Sequence, residues 1–264
     1  MTQLPNKYRK SASILLALWA IALAAGCATP AAAVETPEAP QEEPVSQATV
    51  PTDSAPEEET DSVPCDLPLP GPEDWPVWKC DRFDDNRNDW QVESQDNDYA
   101  RYAAFIEDGK YVVDYSAKVF AAFQRSTLTW FDVGNARDFA MSVTGTIDTR
   151  FQDASWGVAF RGGEEKSSFF LFSIRHDGSY VFEIFENNTW VPLVGPLNYN
   201  GIRKGGENTL RILAEGPDFR FFINGEEVEG FEGGRLEGME IMLVVSAKEG
   251  TSATFLFDDL VLQI

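Results

Sequence analysis

The side chains able to do chemistry in this sequence are few and scattered. His176 is the single histidine, so neither a multi-histidine zinc site nor a second histidine base is available. It adjoins Asp177-Gly178, where a solvated turn residue is the simpler role. A retaining glycosidase needs two carboxyl groups about 5 Å apart across one cleft. Glu183 and Glu186 stand three apart in a strand-like run and so point to opposite faces. Glu164 and Glu165 fall in a Gly-rich turn. The sequence also has no Gly-x-Ser-x-Gly elbow, phosphate loop or dinucleotide fingerprint. No catalytic residue is assigned, and the chain is expected to be non-catalytic.

What remains is chemistry of binding. Arg175 and Tyr180 flank the Asp177-Gly178 turn. A two-residue turn would pair positions 175 and 180, 173 and 182, and 171 and 184 on one face. A guanidinium beside a phenol ring would then form a sugar-binding platform, and the alternative is a cation–π pair on a solvated sheet face. Trp190, after Asn187-Asn188-Thr189, and Arg161 join them as candidate ligand-binding residues. The opposite face, with Phe170, Phe172, Ile174, Val181 and Phe185, is expected to pack against a second sheet.

The N-terminus gives the address. Lys7, Arg9 and Lys10 precede an apolar run from Ile14 to Ala25. This order is that of a secretory signal peptide, and the run is shorter than the roughly 20 residues of a membrane span. Leu23-Ala24-Ala25-Gly26-Cys27 resembles the lipobox of bacterial lipoproteins. The resemblance implies a signal peptide over residues 1–26, a lipid on Cys27 and an extracytoplasmic protein anchored to the cell membrane. Residues 28–64 carry seven prolines and nine acids but no Lys, Arg or aromatic residue. They read, with Cys27, as a disordered acidic tether over 27–64.

Cys65 and Cys80 have fourteen residues between them. In an oxidising compartment such a pair is expected as a disulfide rather than a metal site. From residue 63 on lie 34 of the 43 acids and 18 of the 21 bases, which argues against nucleic acid as a partner and favours a neutral or cation-bridged ligand.

The elements that must position these residues are strands. Aromatic and β-branched runs fall at 99–107, 110–117, 120–126, 138–149, 155–161, 169–176, 179–186, 188–194, 208–214, 219–228, 239–247 and 253–263. Gly-containing turn signals punctuate them, and no amphipathic helix of ten residues intervenes. The pattern predicts one all-β domain over 65–264, a sandwich or barrel.

Within it, Trp156-Gly157-Val158-Ala159-Phe160-Arg161, Phe170-x-Phe172-x-Ile174, Asp177-Gly178-x-Tyr180, Asn208-Thr209-Leu210-Arg211-Ile212, Phe222-Ile223-Asn224-Gly225 and Phe257-Asp258-Asp259 occur in that order. Together they resemble concanavalin A-like lectin/glucanase jelly rolls, and within these the group that includes the 3-keto-disaccharide hydrolase domain. The likeness spans residues 81–264 and implies a two-sheet antiparallel sandwich whose concave sheet recognises a glycan or cell-wall polysaccharide. It leaves a glycoside hydrolase or lyase of the 3-keto-disaccharide type, or an envelope protein-interaction module, as alternatives. Carbohydrate-binding jelly rolls also bring an N-terminal acidic loop beside an Asp of the last strand. That likeness implies a structural calcium ion held by Asp84 and Asp85, with Asp89 near, and by Asp258 and Asp259. The alternative is that these acids are solvated.

Overall fold

The computed structural model describes residues 64–119, 128–132, 137–162, 168–238 and 240–264, the stretch 128–132 through its backbone alone. The leader, Cys27, the tether up to residue 63, the strand expected over 120–126 and the Glu164-Glu165 turn lie outside the described residues.

The described chain is built from fifteen strands: β1 Val77–Asp81, β2 Glu93–Asp96, β3 Ala100–Glu107, β4 Lys110–Ala117, β5 Leu128–Asp132, β6 Phe139–Asp148, β7 Ser155–Gly162, β8 Phe169–Arg175, β9 Ser179–Glu186, β10 Thr189–Asn198, β11 Asn208–Glu215, β12 Asp218–Ile223, β13 Glu226–Phe231, β14 Glu240–Ser246 and β15 Ser252–Gln263. They form two antiparallel sheets. The larger runs β13-β12-β11-β6-β15-β4-β3-β2, with β1 paired to β15; the smaller runs β10-β9-β8-β7-β14-β5. The expected run 219–228 is two strands, because Asn224 and Gly225 both take positive φ (53° and 88°) and close a tight hairpin.

Strand alternation sends one set of side chains from each sheet into a shared core. From the smaller sheet come Val158, Phe160, Phe170, Phe172, Phe182 and Ile184; from the larger come Met141, Val143, Ile212, Phe219, Phe221 and Phe257. The rings of Phe172 and Phe182 each lie 4.6 Å from that of Phe221. Burying each such ring stabilises the fold by about 2–3 kcal/mol, so this aromatic layer is the main bond between the sheets.

The hairpin β8–β9 differs from the sequence expectation by one residue. Ile174 pairs with Tyr180, Phe172 with Phe182 and Phe170 with Ile184. The loop therefore holds three residues, 176–178, rather than two: the Gly178 N–H donates to the Arg175 carbonyl at 3.0 Å, and Gly178 takes φ 92°. A turn followed by a glycine in the left-handed region is the three-residue hairpin with a bulge. One residue of slip moves every β9 side chain to the other face. Tyr180 joins the core, while Val181 and Phe185 turn outward, the reverse of the expectation for all three.

Candidate functional site

The outer face of the smaller sheet is the surface on which the sequence places a ligand. Registry across β9, β8, β7 and β14 sets Leu171 beside Glu183 and Ala159, and Ala159 beside Met242. One row along lie Val181, Ser173, Gly157 and Val244. At its centre Ala159, Phe169, Leu171, Met242 and Val244 form an apolar cluster at most 2 % exposed, against which half-buried Phe185 and Trp190 pack. The Trp190 ring meets Phe169 edge-on at 5.6 Å and lies tilted against Phe185 at 4.8 Å. The partly exposed surface of this face is thus its rim: Trp190 and Phe185 on one side, and Arg175 with Glu183 along β8 and β9. Burial pushes the Glu183 carboxyl above its ordinary range, and the Arg175 charge partly opposes the shift. Sequence reasoning passed over Glu183 as half of an absent pair. Its signal was an acid inside an otherwise apolar run, Val181-Phe182-Glu183-Ile184-Phe185.

Of the four residues expected to bind ligand, Trp190 and Arg175 reach this face and two do not. Tyr180 is 5 % exposed within the core, and its hydroxyl donates to the Val228 carbonyl at 3.2 Å. The Arg175–Tyr180 platform is therefore corrected, the cause being the three-residue turn. Arg161 departs for a backbone reason. Its φ of 57° breaks the β7 alternation and turns the side chain inward, over the Phe139 ring at 5.7 Å. There Nη2 donates to the carbonyls of Gly216 (2.8 Å) and Arg137. Burial lowers its pKa. Arg161 ties the two sheets together and has little surface left for a ligand.

Two acids share the outer face among the described residues, Glu183 on β9 and Glu240 on β14. Strands β8 and β7 stand between them. Three strand spacings separate the acids by about 14 Å, beyond the roughly 5–9.5 Å that either glycosidase mechanism uses.

The acidic loop and the last strand do meet at one end of the molecule. The pKa of Arg82 is raised chiefly by its hydrogen bond to Asp66, and the charges of Asp259 and Asp84 lie close enough to add to the shift. The carboxylates nonetheless face cations of the chain itself. Asp85 takes two hydrogen bonds from the Arg87 guanidinium, each 2.8 Å, which hold its carboxyl down at about 2. Asp258 accepts from Lys110 Nζ at 2.9 Å, and Asp259 lies 3.9 Å from Arg82. Among the described residues no group of three or more His, Cys, Asp or Glu is arranged to hold a metal ion. Asp84, Asp85, Asp258 and Asp259 do not form such a group.

At the same end of β1, beside Arg82 and Asp84, Cys65 and Cys80 form a disulfide with Cα atoms 5.7 Å apart. The loop it closes is also pinned by buried Gln263, whose Oε1 accepts from Gly71 N at 2.7 Å and whose Nε2 donates to the carbonyls of Pro72 and Trp75.

No family model and no curated protein matches the sequence. Solved structures do match. The catalytic domain of an endo-1,3-beta-glucanase (laminarinase) from Thermotoga petrophila RKU-1 aligns with TM-score 0.51 and 11 % identity over 73 % of this chain and 99 % of that one. An endo-β-galactosidase from Clostridium perfringens that releases GlcNAcα1-4Gal aligns with TM-score 0.52 and 7 % identity over 75 % and 65 %. The family 43 glycoside hydrolase BlXynB from Bacillus licheniformis gives TM-score 0.50 and 11 % identity over 70 % and 39 %. At such identities the likeness is one of architecture, and the described chain is a two-sheet antiparallel jelly-roll sandwich of the concanavalin A-like kind.

Proposed function

We propose that this protein is a non-catalytic glycan-binding module, exported, anchored to the cell membrane by a lipid on Cys27 and set off from it by the acidic tether. The observation that carries the binding reading is the rim of the smaller sheet. There two half-buried rings, Trp190 and Phe185, stand on the same face as Glu183 and Arg175. A flat ring offers a sugar its apolar side, while the guanidinium and carboxylate offer a donor and acceptors for its hydroxyls. The names of the laminarinase and the endo-β-galactosidase, both enzymes of glycans, agree with the reading. Screening the protein against a glycan array tests it. The expected result is a hit weakened about tenfold by Trp190→Ala, the loss of one stacking contact of about 1.4 kcal/mol. An array without hits, or W190A binding like wild type, would overturn it, and a co-purifying protein would then point to an interaction module.

One observation favours a hydrolase as the second reading. Burial favours the protonated form of Glu183, the state a general acid requires. Under that reading, array hits incubated with the protein are cleaved, and Glu183→Gln stops cleavage.

A further inference from the structure

We propose that the loops joining β8 to β9 and β10 to β11 form an oxyanion site, which takes the carboxylate or phosphate of an acidic glycan. This rests on the glycan reading above and names the kind of sugar. The ordered loops bring Arg175 and His176 against Arg203 and Lys204. All four line one crevice with Gly205 and Gly206, and Lys204 packs over Gly178 while the His176 ring faces Gly205.

Charge makes the cluster unusual. Acids outnumber bases about two to one in the whole chain, and the cations elsewhere on the described surface mostly have carboxylate partners: Arg82, Arg87, Lys110, Lys118, Arg137, Arg220, Arg235 and Lys248 all do. Arg175, Arg203 and Lys204 have none within ion-pair distance among the described residues. The nearby acids are otherwise engaged: Asp177 accepts from the Ser179 N–H and hydroxyl at 2.8 and 2.7 Å, and Glu207 lies 3.5 Å from Lys110. Glu183, farther along the sheet, senses Arg175 only through its charge.

The second observation is an orphaned polar atom. Nδ1 of His176 is buried without a hydrogen-bond partner, and where the ring carries a proton on that nitrogen it offers a donor to an anion. The crevice has room for about 10 Å³, the size of a single oxygen. One oxygen of the anion would seat there while the sugar stays in solvent, reached by the exposed arms of Arg203 and Lys204. Buried Asn208 fixes the loop that carries those arms, accepting from Arg203 N at 2.8 Å and donating to the carbonyls of Arg203 and Gly206 at 2.9 Å. The site is thus preformed rather than assembled on binding.

Because His176 is the only histidine, the full chain gives one imidazole Hε1 signal in its proton NMR spectrum. We expect sodium phosphate and tri-galacturonate each to shift that signal saturably, and a neutral galactose trisaccharide to leave it in place. The double variant R203Q/K204Q should weaken both titrations at least tenfold, and Arg175→Gln, which alters a different strand, should weaken them independently. The proposal is overturned if neither anion gives a saturable shift, if the variants titrate like wild type, or if the neutral sugar shifts the signal equally. A response to phosphate or to phosphatidylglycerol vesicles without one to tri-galacturonate overturns the assignment to a glycan. Array binding that depends on Trp190 while His176 stays silent overturns the anion site and leaves the broader glycan reading standing.

Discussion

Asp81 illustrates how single residues in this domain are committed to structure. It is 6 % exposed. Its Oδ1 accepts from Phe83 N at 2.7 Å, and its Oδ2 from Asn88 Nδ2 at 2.7 Å and Trp90 Nε1 at 2.6 Å. Hydrogen bonds to a buried charge are worth more than neutral ones, and their loss strands the donors. Asp81→Ala should therefore cost about 3 kcal/mol in denaturant unfolding, although the sequence shows Asp81 only as one of several acids in a polar run. Glu183 behaves oppositely, since burial raises its carboxyl above the ordinary 4.5. A raised folded pKa means the fold prefers the protonated acid, so the penalty is full at pH 7 and fades as the pH falls below the ordinary value. Glu183→Gln is expected to raise the melting temperature at pH 7 and to match wild type near pH 4; a gap that widened in acid would refute the assignment.

At the scale of the element, the turn decides what each strand presents. Asp177-Gly178 correctly marks a hairpin, yet the number of loop residues selects which face Tyr180 and Val181 occupy. Both faces of this hairpin are rich in apolar residues, so the pattern itself could not fix the register. Closeness between strands sets another limit. A Cβ on Gly157 would stand 2.2 Å from the Phe172 carbonyl oxygen, and the obstacle is backbone that cannot rotate away. Gly157→Ala should cost about 3 kcal/mol through forced displacement of β7 from β8, measurable by chemical denaturation. The edge strand β10 exposes Val191 (46 %) and Leu197 (44 %), and Pro192 and Pro196 within it discourage further strand pairing. The disulfide spans a sequence separation of 15, a loop whose closure is worth about 3 kcal/mol in the chain-entropy model. Reductant should lower the melting temperature of wild type to that of the C65S/C80S variant and leave the variant unchanged.

For the molecule as a whole, eight of the described cations are matched to acids, whereas Arg175, Arg203 and Lys204 gather around His176 without such a match. This is why an anion site can exist on a protein of net charge −22: the local field depends on which charges lack partners, more than on their sum. Asp258 and Asp85 follow the same pattern, paired with Lys110 and Arg87. By itself, the sequence determined that this is an all-β sandwich, because strand periodicity and turn residues act locally and survive without knowledge of partners. It also placed Trp190 and Arg175 among the candidates. Only the tertiary structure decided that Tyr180 and Arg161 belong to the interior, that Asp81 and Gln263 are buried anchors, and that Arg203 and Lys204 join Arg175 and His176. Those outcomes depend on a one-residue register, a positive φ and contacts between distant segments, none of which leaves a periodic trace in the chain.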